Sequence, residues 1–149
     1  LSDEPLDPEL SLPFPVEFVI RDTPRSLQAS NAGRERWKQK VGAAAKVHAD
    51  SLRDFFMIDK RALAATIYYF SPAPLEGDVD NIVKLILDGM CKVLYPADRL
   101  IERVTVQKFE PGISWRFPSP STTLDAASVT EPPVIYIRLD DDLGWREVA

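Results

Sequence analysis

The spacing of hydrophobic positions along this chain alternates between strand-like and helix-like periods. Val16 to Ile20 (VEFVI) is a short β-branched and aromatic run that predicts a first strand. The segment RDTPRSLQASN that follows carries Pro, Ser and Asn and reads as a loop, with Ser30 or Asn31 placed to cap a helix. From about Ala32 to Phe55, the residues Trp37, Val41, Ala44, His48, Leu52 and Phe55 recur every three or four positions, which predicts one apolar helix face. Leu63 to Phe70 (LAATIYYF) is rich in β-formers and predicts a second strand, ended by the two prolines and the glycine of SPAPLEG. A second helix is expected from about Asn81 to Leu94, stopped by Tyr95–Pro96 because proline cannot continue a helix. Ile101 to Phe109 and Val134 to Leu139 predict strands three and four. The long connection between them, residues 111–133, has a Ser/Thr/Pro-rich second half and is expected to be a partly flexible loop. Residues 1–13 mix acids, Pro and Ser without periodicity and are expected to form an acidic flexible tail. That leaves a single domain over 14–149, of α+β class: a small mixed sheet of about four strands with two main helices packed on it.

The second helix has unusual polarity. At 100° per residue, Asp80, Lys84 and Asp88 fall within 80° of one another, and Asn81 and Lys92 extend the same stripe. Leu85, Ile82, Val93, Ile86, Met90, Val83, Leu94 and Leu87 fill the rest of the circumference, so the helix is amphipathic with a narrow polar stripe. Asp78 stands two residues before Asp80 and Asp98 just before strand three, so a short connection could return Asp98 toward the first pair. Hard divalent cations take oxygen ligands, and Mg²⁺ often uses only one or two carboxylates beside water and phosphate. The plainer alternatives are a turn with a capping Asp, and a surface ion pair of Lys84 with Asp80 or Asp88 at i,i+4 spacing.

Charge first argues against a nucleic-acid partner, since the formal net charge is −5. Its distribution weakens that objection. The first ten residues hold four acids and no base, residues 131–149 hold five acids and two bases, and the stretch between them is net positive by two. Candidate phosphate contacts lie around the first loop and helix: Arg21, Arg25, Arg34, Arg36 and Lys40. One cysteine, Cys91, rules out an internal disulfide. The N-terminal residues lack the charge and apolar core of a signal peptide and no apolar run approaches a membrane span, so a cytoplasmic protein is expected, with no membrane partner.

The stretch Gly77 to Val106 (GDVDNIVKLILDGMCKVLYPADRLIERVTV) resembles the metal-binding core of RusA-type Holliday junction resolvases. That family's pattern is acid-x-Asp-Asn, a lysine four residues after the second acid, a further Asp on the same helix, and later an Asp before a hydrophobic strand. Here these are Asp78-Val79-Asp80-Asn81, Lys84, Asp88 and Asp98, with Ile101 opening the strand. Thr23-Pro24-Arg25-Ser26 is similar to the family's loop after its first strand. The sequence departs from the pattern at Ala97, where many relatives carry a second acid. The resemblance implies a homodimeric Mg²⁺-dependent endodeoxyribonuclease (Mn²⁺ a substitute) of prokaryotic or phage-like origin. It would resolve four-way DNA junctions by paired symmetric nicks, without an organic cofactor. It implies Asp78, Asp80 and Asp98 as metal ligands, Lys84 as an essential basic residue, and Asp88 and Asn81 as supporting residues. The chemistry is consistent: phosphodiester hydrolysis needs a polarised phosphoryl oxygen, an activated water and positive charge on the transition state.

Three rival readings remain. One is an enzyme of the same chemistry acting on a different DNA or RNA structure, another is a branched-DNA-binding protein of this fold with weak or no nuclease activity, and the third is a generic α+β binding module whose acids are surface charge. His48 and Cys91 read as packed residues. Trp115 and Phe117, flanking Arg116, read as core or interface aromatics, with base stacking the alternative.

Overall fold

A computed structural model describes residues 14–52, 57–58, 61–75 and 77–144. The expected tail over 1–13 and the end of the first helix at Phe55 lie outside the described residues. Four strands, β1 (Val16–Ile20), β2 (Leu63–Phe70), β3 (Ile101–Phe109) and β4 (Val134–Asp140), form one mixed sheet in the order β1-β4-β2-β3. β4 pairs antiparallel with both β1 and β2, whereas β2 and β3 are parallel. Alternation along β2 and β4 sends Leu63, Ala65, Ile67 and Tyr69, with Ile135, Ile137 and Leu139, to one face of the sheet. Both strands are flanked on each side by another strand and covered on both faces, which explains their nearly unbroken burial.

Helix α1 (Asn31–Ser51) starts where Ser30 Oγ accepts from the Gly33 N–H at 3.0 Å. Its buried stripe is Gly33, Trp37, Val41, Ala45 and Ala49. The expected stripe is therefore corrected past Val41, from Ala44 and His48 to Ala45 and Ala49. Alanines permit either phase, and packing against α2 (Val83–Met90) selects one. That contact is close at Gly89, where a Cβ would stand 2.7 Å from Val41 Cβ and 2.8 Å from the Lys38 carbonyl. His48 is half-buried, its ring 6.2 Å from Phe18, and burial lowers its pKa.

Two expectations are overturned. The second helix does not run as one α-helix from Asn81 to Leu94. A 3₁₀ turn over Val79–Ile82 precedes α2, which ends at Met90. The chain then turns through Lys92 at φ 70, with the Lys92 N–H donating to the Tyr95 carbonyl at 2.6 Å. Leu94 and Tyr95 are buried because this turn folds them under α2, which places them in the core without a helix. Nor is the connection 111–133 without regular structure. Ser121 caps a third helix, α3 (Thr122–Val129), by accepting from the Leu124 N–H at 3.1 Å, and its hydroxyl donates to Glu17 at 2.5 Å. Tyr136 Oη donates to the same carboxylate. α3 thereby covers part of the sheet face opposite α1 and α2, over an aromatic cluster of Phe70, Tyr136, Tyr68, Phe109 and Phe117. Three α-helices are thus present among the described residues, where two main helices were expected. No described helix is long and apolar enough to cross a membrane.

Candidate metal centre

The β2–α2–β3 segment is a parallel crossover. β2 delivers the chain to one end of the sheet, α2 returns it along the face, and β3 starts beside the beginning of β2. Between β2 and the 3₁₀ turn, Ser71 N–H donates to the Phe109 carbonyl at 3.0 Å and Leu75 N–H donates to Glu110 Oε2 at 2.6 Å. That backbone donor and Lys108 hold the Glu110 carboxyl below its usual range. Glu110 escaped the sequence reading because its partner is 35 residues away, which leaves no local signal. Gly77, at φ 86, makes the left-handed turn that leads into Asp78.

Asp78 occupies the capping position of the 3₁₀ turn in extended conformation, yet its side chain makes no capping hydrogen bond. Asp78 and Asp80 are exposed, and among the described residues neither has an ion-pair or side-chain hydrogen-bond partner. The capping alternative therefore does not account for Asp78. Nor does Asp80 pair with Lys84. A 3₁₀ turn advances about 120° per residue rather than 100°, which rotates Asp80 out of the stripe expected of a continuous helix.

Lys84 has different partners. Its Nζ lies 2.8 Å from Asp88 Oδ1 and 3.6 Å from Asp98 Oδ2. The first contact is the i,i+4 pair of the plainer reading, and the second brings in an acid fourteen positions away. Its hydrogen bond to Asp88, with the Asp98 charge, raises the ammonium pKa above its ordinary value, so this group stays charged near neutral pH. Burial and the adjacent Asp98 carboxylate push the Cys91 thiol up, and burial raises the Tyr95 phenol, whose hydroxyl donates to the Leu87 carbonyl at 2.7 Å.

The carboxylates are hard oxygen donors on an exposed surface, which suits a water-rich Mg²⁺ or Mn²⁺ shell better than a closed protein cage. Among the described residues no three His, Cys, Asp or Glu side chains are grouped so as to hold a metal ion. The donor chemistry fits such a cation, then, while its shell would draw largely on water and substrate phosphate.

The loop after β1 is docked on this region through the Leu27 N–H, which donates to the Asn81 carbonyl at 3.3 Å. Of the candidate phosphate contacts, Arg34 is engaged within the fold. Its guanidinium donates to the Leu27 carbonyl and to Asn31 Oδ1, each at 3.0 Å. Lys40 pairs with Asp22 at 2.5 Å, which lowers the Asp22 pKa. Among the described residues Arg21, Arg25 and Arg36 make no hydrogen bond or ion pair of this kind, although the Arg25 charge also helps to lower the Asp22 pKa.

The family model for Endodeoxyribonuclease RusA matches residues 27–114, more than half of the chain. This chain belongs to the RusA family. The match spans α1, the whole β2–α2–β3 crossover and Asp78, Asp80, Asp88 and Asp98, and it stops short of α3 and β4. RusA membership supports a nuclease in general, acting on branched DNA. No curated protein matches the chain.

Trp115 and Phe117 pack with Phe109, at 5.1 and 5.4 Å between ring centroids. Phe117 also stacks on Tyr68 at 5.7 Å. Both extend the second core, and Trp115 stays 39% exposed at its edge.

Proposed function

We propose that this RusA-family chain is a divalent-cation-dependent endonuclease that resolves four-way DNA junctions as a homodimer by paired, symmetric nicks. Asp78, Asp80 and Asp98 would hold the metal, and Lys84 would serve as the fixed positive charge. The observation that carries this reading is the pair of partnerless exposed carboxylates, Asp78 and Asp80, leading into the helix whose lysine reaches Asp98 at 3.6 Å. Carboxylates that neither cap nor pair do nothing evident for the fold, whereas two adjacent anions lower the local potential and favour a cation.

When bound, a Mg²⁺ ion supplies Lewis-acid polarisation of a phosphoryl oxygen and lowers the pKa of a water. Each residue contributes as follows. Lys84, kept protonated by Asp88 and Asp98, offers positive charge to a phosphate oxygen as negative charge develops on it. Asp88 holds the ammonium on the Asp98 side of the helix. Asn81, through its backbone carbonyl, fixes the loop bearing Arg25 beside the acids, where that guanidinium can meet the DNA backbone.

The test is a nicking assay on a synthetic four-way junction and a matched linear duplex, with and without Mg²⁺. Metal-dependent paired nicks confined to the junction are expected, strongly reduced by Asp78→Asn and Asp98→Asn with junction binding retained. A second reading, a junction-binding protein without cleavage, is favoured by the lack of a three-ligand group among the described residues. It prevails if wild-type protein binds junctions and never nicks them.

A further inference from the structure

The Asp78 side chain has no partner among the described residues, so its place is set by the backbone on either side of it. Downstream that backbone is well held. The Asn81 N–H donates to the Asp78 carbonyl at 3.1 Å, and Ile82 is buried in the main core with Val79 packed against it. Upstream stands Gly77 at φ 86, where the lack of a Cβ gives the chain its widest choice of directions into Asp78. The nearest described anchor before that glycine is Leu75. Its side chain packs against the main core, and its N–H donates to Glu110 Oε2 at 2.6 Å.

Glu110 follows directly on β3. Side chains alternate along a strand, and Lys108 pairs with the core-facing Tyr69, so Lys108 and then Glu110 project to the sheet face that carries α2. Lys108 Nζ lies 3.2 Å from the same Oε2. One oxygen therefore takes an ammonium from β3 and a backbone donor from a segment 35 residues away. The ion pair with Lys108 is a local contact within β3, whereas the bond to Leu75 ties the approach to Asp78 onto the sheet. The Glu110 side chain is only 19% exposed, unlike the open Asp78. Ser71 does less for this segment. Its N–H donates to the Phe109 carbonyl, which extends the β2–β3 pairing by one residue, and its hydroxyl donates to the Ala73 carbonyl.

We propose that Glu110 is a positioning residue for metal binding: through the Leu75 N–H it fixes the path of the chain into Asp78, and so the direction of that carboxylate. The inference rests on the reading of Asp78 as a metal ligand. Glu110 is not itself a ligand in this scheme, because its Oε2 is already taken by two donors. A water-rich Mg²⁺ or Mn²⁺ shell draws on few protein oxygens, so each one that is misplaced removes a large share of the binding. Groups that orient metal ligands typically cost about 10–100-fold in metal affinity when removed. Glu110 acts from the far side of Leu75 and Gly77, so the lower end of that range, about 10-fold, is expected.

The test is a Mn²⁺ titration of the full chain without DNA, with free Mn²⁺ read by electron paramagnetic resonance. Glu110→Ala removes the acceptor and should weaken Mn²⁺ binding by about 10-fold. Glu110→Gln keeps an oxygen for the Leu75 N–H and loses only the ion pair with Lys108, so its affinity should stay within about threefold of wild type. On an Asp78→Asn background, Glu110→Ala should bring no further loss, because the ligand that it positions is gone. Far-UV spectra and metal-free junction binding should match wild type throughout. A Glu110→Ala chain that binds Mn²⁺ like wild type, a Glu110→Gln chain as weak as Glu110→Ala, or a full second loss on the Asp78→Asn background overturns the proposal and leaves the ligand reading standing. Mn²⁺ affinity unchanged by Asp78→Asn overturns the ligand reading, and the proposal with it.

Discussion

The two ends of the α2 segment carry the same residue type to opposite effect. At its C-terminal end, Asp88 and Asp98 share one ammonium, and Asp98 also abuts Cys91. Leading into it, Asp78 and Asp80 have no partner among the described residues, although Asp78 sits where capping would cost nothing. A paired surface carboxylate is worth little, about 0.3–0.5 kcal/mol in an i,i+4 pair, but it is structurally explained. An unpaired one has no such structural explanation. The difference separates residues the fold uses from residues it merely presents.

The largest expected effect is at the unpaired end. Asp78→Asn and Asp80→Asn should each reduce junction cleavage by about 10²–10³-fold, on the order of 3–4 kcal/mol at the transition state. Thermal stability should change by no more than about 0.5 kcal/mol, because nothing in the fold is lost. Cleavage rates and melting curves on the same preparations check this, and a large drop in stability would mean that these acids are structural.

Next in size is the scaffold that both ends share. Gly89→Ala drives a Cβ into Val41 and the Lys38 carbonyl, and should cost about 1–3 kcal/mol by denaturant unfolding. Cleavage should fall with it, because the α1–α2 contact sets the position of both acid pairs.

A smaller change is expected at the paired end. Asp88→Asn should cost about 0.3–0.5 kcal/mol of stability and remove the group that chiefly raises the Lys84 pKa. Cleavage should weaken on the alkaline side first, as the ammonium loses its proton at lower pH. An unchanged pH–rate profile would leave Asp88 without a positioning role.

The smallest effect lies away from the site, at His48. Burial depresses its pKa, so the unfolded chain binds the proton more readily, and stability present at neutral pH should decline as pH falls below the ordinary value of 6.5. Glu17 partly offsets this. His48→Gln should flatten the dependence of melting temperature between neutral pH and about pH 5.

Local sequence fixed several features outright. The β-branched and aromatic runs set β2 at Leu63–Phe70 and β3 at Ile101–Phe109, and Ser30 set the start of α1. These depend on period, propensity and capping chemistry, all of which act over a few residues. The acid-x-Asp-Asn signature with Lys84 and Asp98 was legible for the same reason, since a motif is a local string. What only tertiary packing decided is everything that depends on distant partners. Alanines left the phase of α1 open until Gly89 admitted Val41. The weakly patterned 122–129 stretch became a helix because Ser121 and Glu17 pinned it over Tyr136 and Phe70. The parallel crossover carried Asp98 back to Lys84, and the 3₁₀ turn swung Asp80 away from it.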